Sequence, residues 1–216
     1  MKKNLLIAGF LIFSISTFAQ TLSYGIKAGV NFSEITSSGS GASVSSQNLT
    51  GFHAGVIVDL GLGAFSLQPG LFYTTKGGKN TATETEFGFT GTGSSKTTLN
   101  YLELPVNLLY KIPAIDGKIF LGAGPYIGYG LSGRLTGTVN IPGVPATNID
   151  QKITFGNDDG DIKNPDYGAN FLLGYEFDQG LLVSANYQLG LASSPYSDFG
   201  KVKSRVLSIS VGYLFK

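Results

Sequence analysis

The sequence predicts an all-β fold, an eight-stranded antiparallel up-and-down transmembrane β-barrel, and three observations lead to that prediction. Apolar residues recur at every second position along most of the chain. Short and long connections between these segments follow one another in strict alternation along the chain. Charged residues make up only 13% of the 216 residues, against about 25% in a typical soluble domain, and 31 residues are glycine. This combination favours a chain whose strands each turn one face to lipid.

The first twenty residues have the three regions of a secretory signal peptide. Two lysines follow the initiator methionine, Leu5–Phe13 is apolar, and Thr17 and Ala19 fit the small-residue pattern of a cleavage site. The apolar run is too short for the roughly 20 residues of a spanning helix. We therefore expect residues 1–19 to be a cleaved signal peptide and residues 20–216 to form the barrel domain.

Eight segments show the alternation of a strand with one apolar side. In the first, the even-numbered residues from Leu22 to Phe32 are apolar or aromatic, whereas the odd-numbered ones include Lys27 and Asn31. Successive side chains of a strand point to opposite faces, so each segment has one apolar and one polar face. The predicted strands are 22–32, 52–60, 65–74, 101–111, 119–131, 168–177, 182–191 and 206–215.

The connections between the predicted strands fall into two classes that alternate strictly. Short connections contain the Gly or Asp residues that tight turns require, and long connections are rich in Ser, Gly, Thr and Asn. Short turns at one end and long loops at the other are typical of an outer-membrane barrel. The short connections are 61–63, 112–117 and 178–180, and the long loops are 33–50, 77–97, 132–165 and 192–203.

The alternation would also suit a secreted soluble β-sandwich, and the composition of the two faces favours the membrane barrel instead. The apolar faces of the predicted strands contain no Asp, Glu, Lys or Arg, as a lipid-facing band requires. The polar faces carry many glycines, which an eight-stranded barrel needs because its interior is only just wide enough for side chains. The sequence therefore places the protein in the outer membrane of a Gram-negative bacterium, in contact with outer-membrane lipid.

Three prolines lie inside predicted strands, namely Pro69, Pro105 and Pro125. A closed sheet has no edge strand to accommodate a residue without an N–H group. β-bulges would accommodate them, but the sequence alone does not show how the strands do so.

Four segments resemble the PorT-like outer-membrane β-barrel proteins of Bacteroidota, and the similarity extends over essentially the whole chain after the signal. It implies a small outer-membrane barrel and brings no catalytic motif. The name-giving member of that family is associated with gingipain export and type IX secretion, so the resemblance also implies an accessory role in protein secretion. The segments are SLQPGLFYTTKGGK (66–79), NYLELPVNLLYK (100–111), GAGPYIGYGL (122–131) and VLSISVGYLF (206–215).

The sequence offers little for catalysis or cofactor binding. His53 is the only histidine, and Asp59, on the same face, is about 20 Å away along a strand. Without cysteine there is no disulfide framework, thiolate metal site or cysteine nucleophile, and a formal net charge of +1 excludes a strongly basic nucleic-acid binder. We expect a hydrogen-bonded lumen histidine and a protein that is not an enzyme and has no catalytic residue, cofactor, metal site or nucleic-acid partner.

Several charged residues are expected inside the barrel. Charges in a narrow, largely dehydrated interior must be paired, which favours a plugged lumen over a conducting channel. We expect Glu103 to pair with a basic residue such as Lys27. The inward charged residues are Lys27, Asp59, Lys76, Glu103, Lys111 and Glu176.

The longest loop contains a dense group of oxygen-bearing side chains in the sequence GNDDGDIKNPD (156–166). Such a group around a glycine can bind Ca²⁺. The spacing departs from the EF-hand pattern because no Glu follows at the required offset, so a solvated acidic loop is the favoured interpretation. The side chains concerned are Asn157, Asp158, Asp159, Asp161, Asn164 and Asp166.

We therefore expect an integral outer-membrane barrel with a plugged lumen and long surface loops, acting as a non-enzymatic envelope scaffold or surface-binding protein. Two alternatives stay open: an accessory component of protein secretion, by the family resemblance, and a small conducting pore. Contacts with envelope or secretion proteins would be made by loops 33–50, 77–97, 132–165 and 192–203.

Overall fold

The structure is a computed structural model that describes residues 21–39, 42–86, 89–141, 143–156, 162–191, 194–196 and 200–215. The predicted signal peptide, residues 1–19, lies outside the described residues. In the described part of the chain, no helix is long and apolar enough to cross a membrane. The strands are β1 (Thr21–Gly39), β2 (Ala42–Ser45), β3 (Gln47–Leu62), β4 (Phe65–Glu86), β5 (Phe89–Ala114), β6 (Gly117–Asn140), β7 (Thr147–Ile153), β8 (Phe155–Gly156), β9 (Ile162–Lys163), β10 (Asp166–Phe177), β11 (Leu181–Gly190), β12 (Ser194–Tyr196) and β13 (Gly200–Phe215).

Eight of these strands form a closed antiparallel ring in the order β1, β3, β4, β5, β6, β10, β11 and β13. The ring closes because β13 pairs back onto β1, from Tyr24 opposite Phe215 to Ser38 opposite Lys201. Each predicted strand coincides with one strand of this ring, so the predicted eight-stranded up-and-down barrel is confirmed. The shorter β2, β7 and β12 extend the ring strands at one end.

The short connections lie together at one end of the barrel. Leu62 pairs with Phe65 and Ala114 pairs with Gly117, so each of these two turns has only two central residues. Such turns require positive φ angles, which Gly63 provides at 69° and Asp116 at 55°. We call this end the short-turn end.

At the opposite end, the structure differs from the predicted loops. Large parts of 33–50, 77–97, 132–165 and 192–203 are strands that continue the barrel wall as long hairpins. β4 and β5 stay paired as far as Glu86 opposite Phe89, and β7 adds to the outer part of β6. The sequence prediction of loops was wrong here because the two-residue apolar alternation stops where the wall leaves the lipid, whereas the backbone pairing continues.

The apolar faces of the ring strands are exposed on the outside of the barrel. Tyr24, Leu108 and Ile209 are each more than half exposed, whereas Leu109 and Phe120, on the other face, are buried. A soluble sandwich would bury the apolar faces against each other. The outer band of exposed apolar side chains is therefore the surface that meets lipid.

Glycines on the inner face make room for aromatic rings. A Cβ atom on Gly174 would collide with the Phe120 ring, and one on Gly168 would collide with the Tyr126 ring. Gly55 lies in the same way against Phe72. The predicted need for small residues beside large rings in a narrow barrel is confirmed at these positions.

The three prolines are not accommodated by bulges. The register shifts lie elsewhere, between Asn48 and His53 on β3 and between Asn100 and Tyr101 on β5. At each proline the ladder to the preceding ring strand has a gap, and the register resumes unchanged beyond it. A missing N–H group thus costs local pairing on one side only, and Pro69, Pro105 and Pro125 are accommodated by these gaps and not by bulges.

Candidate functional site

The interior of the barrel begins, at the short-turn end, with a group of charged side chains that we call the lower charged cluster: Asp59, Lys111 and Glu176. The Lys111 Nζ atom lies 3.0 Å from both Asp59 carboxylate oxygens and 2.9 Å from Glu176 Oε2. Gln68 Nε2 donates a further hydrogen bond of 2.9 Å to Asp59 Oδ2. One cation thus bridges carboxylates from two other strands, and all three charged side chains are largely screened from water.

Above this cluster the lumen is filled by apolar side chains from most of the ring strands. They form two buried groups, and the inward glycines described above allow the aromatic rings to lie across the barrel. Close packing of this kind leaves little space for a continuous water column. The two groups are Ile57, Phe72, Leu182 and Leu214, and Leu109, Phe120 and Leu172.

His53 lies in a hydrogen-bonded network that joins three strands. Its Nδ1 atom is 2.7 Å from Asn31 Oδ1 and its Nε2 atom is 2.9 Å from Ser210 Oγ. The Asn31 amide nitrogen donates to the carbonyl oxygens of Phe52 and Thr75, so Asn31 Oδ1 must be the acceptor. His53 therefore carries its proton on Nδ1 and accepts a hydrogen bond from the Ser210 hydroxyl. The predicted hydrogen-bonded lumen histidine is confirmed.

A small cavity opens beside this network, with about 50 Å³ open to the centres of water molecules. Lys27, His53 and Asn186 are among the polar residues that line it. The Lys27 side chain is buried, and the Asn186 Oδ1 atom has no hydrogen-bond partner among the described residues. The space and its polar lining suit a few ordered water molecules.

A second group of charges, the upper charged cluster, consists of Lys76, Glu103 and Asp166. Lys76 Nζ forms an ion pair with Glu103 and lies 3.1 Å from Asp166 Oδ2. It also sits 4.6 Å from the centre of the Tyr126 ring, whose hydroxyl donates to Asp166. Gln188 Nε2 donates to the remaining Glu103 oxygen at 3.2 Å.

Glu103 pairs with a basic residue as expected, but that residue is Lys76, so the suggested partner Lys27 was wrong. Lys76 lies on β4, next to the β5 strand that carries Glu103, and the two strands pair with Phe72 opposite Glu103. Lys27 lies on β1, which is separated from β5 by two strands of the ring. All six charged residues expected to point inward do lie in the interior, but Asp166 joins them unpredicted, because it immediately precedes the apolar alternation of its strand.

The chain segment before β10 folds back over the long-hairpin end of the lumen. The Phe155 ring packs edge-on against Tyr101, with ring centres 5.4 Å apart, in space that Gly130 leaves free. The Asn164 side chain accepts a hydrogen bond of 2.7 Å from the Gly130 amide and donates one to its carbonyl. Phe155 and Asn164 thus cover part of the barrel opening.

Two of the oxygen-bearing side chains considered for calcium binding have other partners. Asn164 binds the backbone of Gly130 and Asp166 belongs to the upper charged cluster. The others, Asn157, Asp158, Asp159 and Asp161, lie outside the described residues. Within the ranges that the structure describes, no group of three or more acidic or histidine side chains is arranged to hold a metal ion.

Beyond the lipid-facing band, β4 to β7 continue as an antiparallel sheet that we call the projecting sheet, comprising 79–86, 89–98, 134–140 and 147–153. Arg134 and Asp150 form a two-pronged ion pair on its outer face, at 2.7 and 2.5 Å. The hydrogen bonds from Arg134 hold the pKa of the Asp150 carboxyl below its usual range and raise the pKa of the guanidinium. A groove of about 1100 Å³ runs along this face and reaches Ile153, Phe155 and Asn164 at the barrel opening.

Comparisons with solved structures find barrels of very low sequence identity. The Ail attachment invasion locus protein of Yersinia pestis, solved with the heparin analogue sucrose octasulfate, is 13% identical, with 90% of this chain and 99% of Ail covered and a TM-score of 0.41. Neisserial surface protein A is 16% identical, with 90% and 99% covered and a TM-score of 0.47. The translocator domain of the autotransporter NalP from Neisseria meningitidis is 12% identical, with 100% and 95% covered and a TM-score of 0.34.

No curated protein sequence matches this chain. The sequence does match a protein family described as outer membrane protein beta-barrel domain, over residues 18–195. That match spans most of the chain, and the closed eight-stranded ring with its exposed apolar band fits it. The chain therefore belongs to the outer membrane protein beta-barrel domain family, and it resides in the outer membrane of a Gram-negative bacterium.

Proposed function

We propose that the protein is a closed, non-conducting and non-enzymatic outer-membrane barrel that works through its extracellular hairpins, as an envelope scaffold or surface-binding protein. The observation that carries this proposal is the filling of the lumen by two charged clusters with apolar layers between them. Short turns face the periplasm and long hairpins face the exterior in such barrels, so the projecting sheet is extracellular.

The arrangement of the interior supports a barrier to ions. Lys111 and Lys76 each bridge two carboxylates, and breaking either bridge would leave an uncompensated buried charge. The apolar side chains between the clusters, including Phe72 and Phe120, occupy space that an ion with its hydration shell would need. An ion crossing the barrel would have to disrupt all three layers.

A conductance experiment tests the closed lumen. The full protein is reconstituted in planar lipid bilayers in concentrated KCl, and we expect no discrete current steps. A variant carrying Phe72→Ala and Phe120→Ala removes the two rings from the apolar layer and serves as the positive control, with folding checked by heat-dependent gel migration. Discrete steps from the unaltered protein would contradict the proposal and favour a small pore.

The network around His53 supports the absence of enzymatic activity, although Ser210, His53 and Asn31 follow one another as a nucleophile, base and orienting group would. Ser210 is 2% exposed, Asn31 is 1% exposed, and both lie inside the barrel wall. A nucleophile must reach its substrate, and Ser210 is not among the residues that line the small cavity beside this network. We expect a serine-directed fluorophosphonate probe to leave the folded protein unlabelled, whereas stoichiometric labelling lost in Ser210→Ala would contradict this.

The resemblance to PorT-like barrels supports an accessory role in secretion as the second candidate. That role requires stable contacts with secretion proteins, made by the extracellular or periplasmic ends of the barrel. Affinity purification from native outer membranes, followed by comparison of secreted proteins with and without the gene, distinguishes the two candidates. A free scaffold brings down no secretion machinery and leaves the secreted proteins unchanged.

A further inference from the structure

We infer that the outer face of the projecting sheet binds the phosphate groups of lipid headgroups in the outer leaflet, through Lys96, Arg134 and Lys152, with Lys79 beside them. This inference rests on the proposed function insofar as it assigns a partner to the extracellular surface. The charges, the register and the position of these residues relative to the lipid-facing band carry it.

The charged residues of the projecting sheet whose side chains are described lie on one face. Among its described side chains, the charged ones are Lys79, Lys96, Arg134, Asp150 and Lys152. Ladder pairing puts Lys96 opposite Lys79 and in line with Asp150, and puts Arg134 opposite Lys152. Since side chains alternate along a strand, these five share the outer face, where four cations meet one carboxylate.

The pairing of these cations is unfavourable for a surface that meets only water. Lys79 lies directly opposite Lys96, and Arg134 lies directly opposite Lys152. Like charges in directly opposed positions of an antiparallel ladder destabilise it. Asp150 compensates only Arg134, with which it forms the two-pronged ion pair. A polyanionic partner would remove the repulsion between the remaining cations.

The height of the cations above the lipid band identifies the partner as a headgroup. Tyr129 and Leu131 are exposed at the upper end of the band, and Arg134 follows three residues later, about 10 Å along the strand. The row of Lys79 and Lys96 lies two residues higher, about 7 Å further. Long basic side chains reach back toward the interface, so both rows lie within reach of headgroup phosphates.

The groove on this face has the polarity of a lipid molecule. Tyr129 and Leu131 line its lower end, and Lys96, Arg134 and Lys152 line its upper part. Hydroxyl and amide groups of Thr98, Asn100, Ser132 and Thr136 lie between them. The start of an acyl chain would contact the apolar end while the phosphate meets the cations. The inner face of the same sheet carries no charge among its described side chains and presents Leu135, Ile149 and Ile153.

A titration of the detergent-solubilised full protein with lipopolysaccharide tests the inference. Each basic side chain near an anionic lipid surface strengthens binding about fivefold. We therefore expect the triple variant Lys96→Gln, Arg134→Gln and Lys152→Gln to bind about 100-fold more weakly, and the binding of the unaltered protein to weaken steeply with added salt.

Matched controls remove the same charge elsewhere. Lys118→Gln alters an exposed lysine at the periplasmic end of β6, and Lys203→Gln alters one at the extracellular end of β13, outside the projecting sheet. Both should bind like the unaltered protein, and heat-dependent gel migration should show that all variants fold. Conductance is measured on the same preparations, so an open pore would contradict the closed barrel without affecting the result on lipid.

Titrations with other ligands distinguish a lipid headgroup from free phosphate as the bound group. We expect dephosphorylated lipopolysaccharide and phosphatidylcholine to bind weakly and equally to all variants. Unchanged binding of the triple variant, or equal binding of dephosphorylated lipid, would overturn the inference. Inorganic phosphate that competes at the same phosphate concentration would also overturn it, because the site would then recognise a free anion and not a lipid headgroup.

Discussion

The same strands, β5 and β6, pass through two regions of the molecule that distribute charge in opposite ways. Within the lipid, the outer face is apolar, as at Leu102 and Leu108, while charged residues such as Glu103 and Lys111 point inward and are paired. In the part of β5 and β6 that belongs to the projecting sheet, the charges of Lys96 and Arg134 lie on the outer face, and the described side chains of the inner face are uncharged. The charged side chains change from the inner to the outer face near the bulge at Asn100 and Tyr101. This change shows that the solvent on each side, rather than the strand geometry, decides which face carries charge.

The largest expected effect comes from removing the cation of the upper charged cluster. In Lys76→Met, Glu103 and Asp166 lose the charge that bridges them in a buried site. Leaving a buried charge uncompensated destabilises a protein by about 3–5 kcal/mol, which urea unfolding followed by tyrosine fluorescence would measure.

The control combines Lys76→Met with Glu103→Gln and Asp166→Asn, so that no unpaired charge remains. We expect this triple variant to recover most of the lost free energy of unfolding. A Lys76→Met protein that unfolds at the same urea concentration as the unaltered one would show that the interior is hydrated enough to screen its charges.

The second effect compares one substitution on the same strand face in the two regions. Leu108→Lys places a charge on the lipid-facing band and should destabilise the barrel by about 2–4 kcal/mol. Ser94→Lys introduces the same side chain on the outer face of the projecting sheet, opposite uncharged threonines, and we expect almost no change in the urea midpoint. Equal effects of the two substitutions would contradict the proposed boundary of the lipid.

The smallest effect concerns Asp150, whose side chain is exposed to solvent. Because Arg134 holds the pKa of Asp150 below its usual range, the ionised form contributes stability above its unfolded pKa, and that contribution is lost as the pH falls through the lowered value. Asp150→Asn removes this contribution, so the variant should differ from the unaltered protein only above that pH window, and only slightly. Urea midpoints measured as a function of pH would test it.

The same substitution sharpens the comparison between the regions. Among the described side chains on the outer face of the projecting sheet, Asp150→Asn keeps the four cations and removes the carboxylate. If this face binds lipid phosphates, lipopolysaccharide should bind up to about fivefold more tightly. Weaker binding would mean that Asp150 orients Arg134 for its ligand.

The sequence predicted the membrane-spanning part of the fold because lipid imposes a period of two on every strand. It did not predict that β4, β5 and β6 continue as hairpins beyond the lipid, since a strand with polar surroundings needs no such period. Threonine-rich segments such as 90–98 suit strands, but their residues also occur in loops. The boundary of the apolar pattern therefore marked the edge of the lipid and not the end of the strands.

The sequence predicted which charged side chains point into the lumen, but it did not predict which of them contact each other. The alternation of side chains along each strand predicted that Lys27, Lys76 and Glu103 point inward, and all three are buried in the lumen. Which of them meet depends on the offset between strands around the ring, which no single strand's sequence contains. The Asn31–His53–Ser210 network was missed for the same reason, because its members lie on three strands.

The seam between β1 and β13 has a consequence for how the protein reaches its final state. The two strands that close the ring stand at opposite ends of the described chain, so their pairing is among the contacts with the highest sequence separation. Until they meet, each has a row of unpaired amide and carbonyl groups, which hydrocarbon does not tolerate and which invites pairing with other chains. The barrel therefore cannot enter the bilayer strand by strand, and closure of this seam is the step that commits it to the membrane.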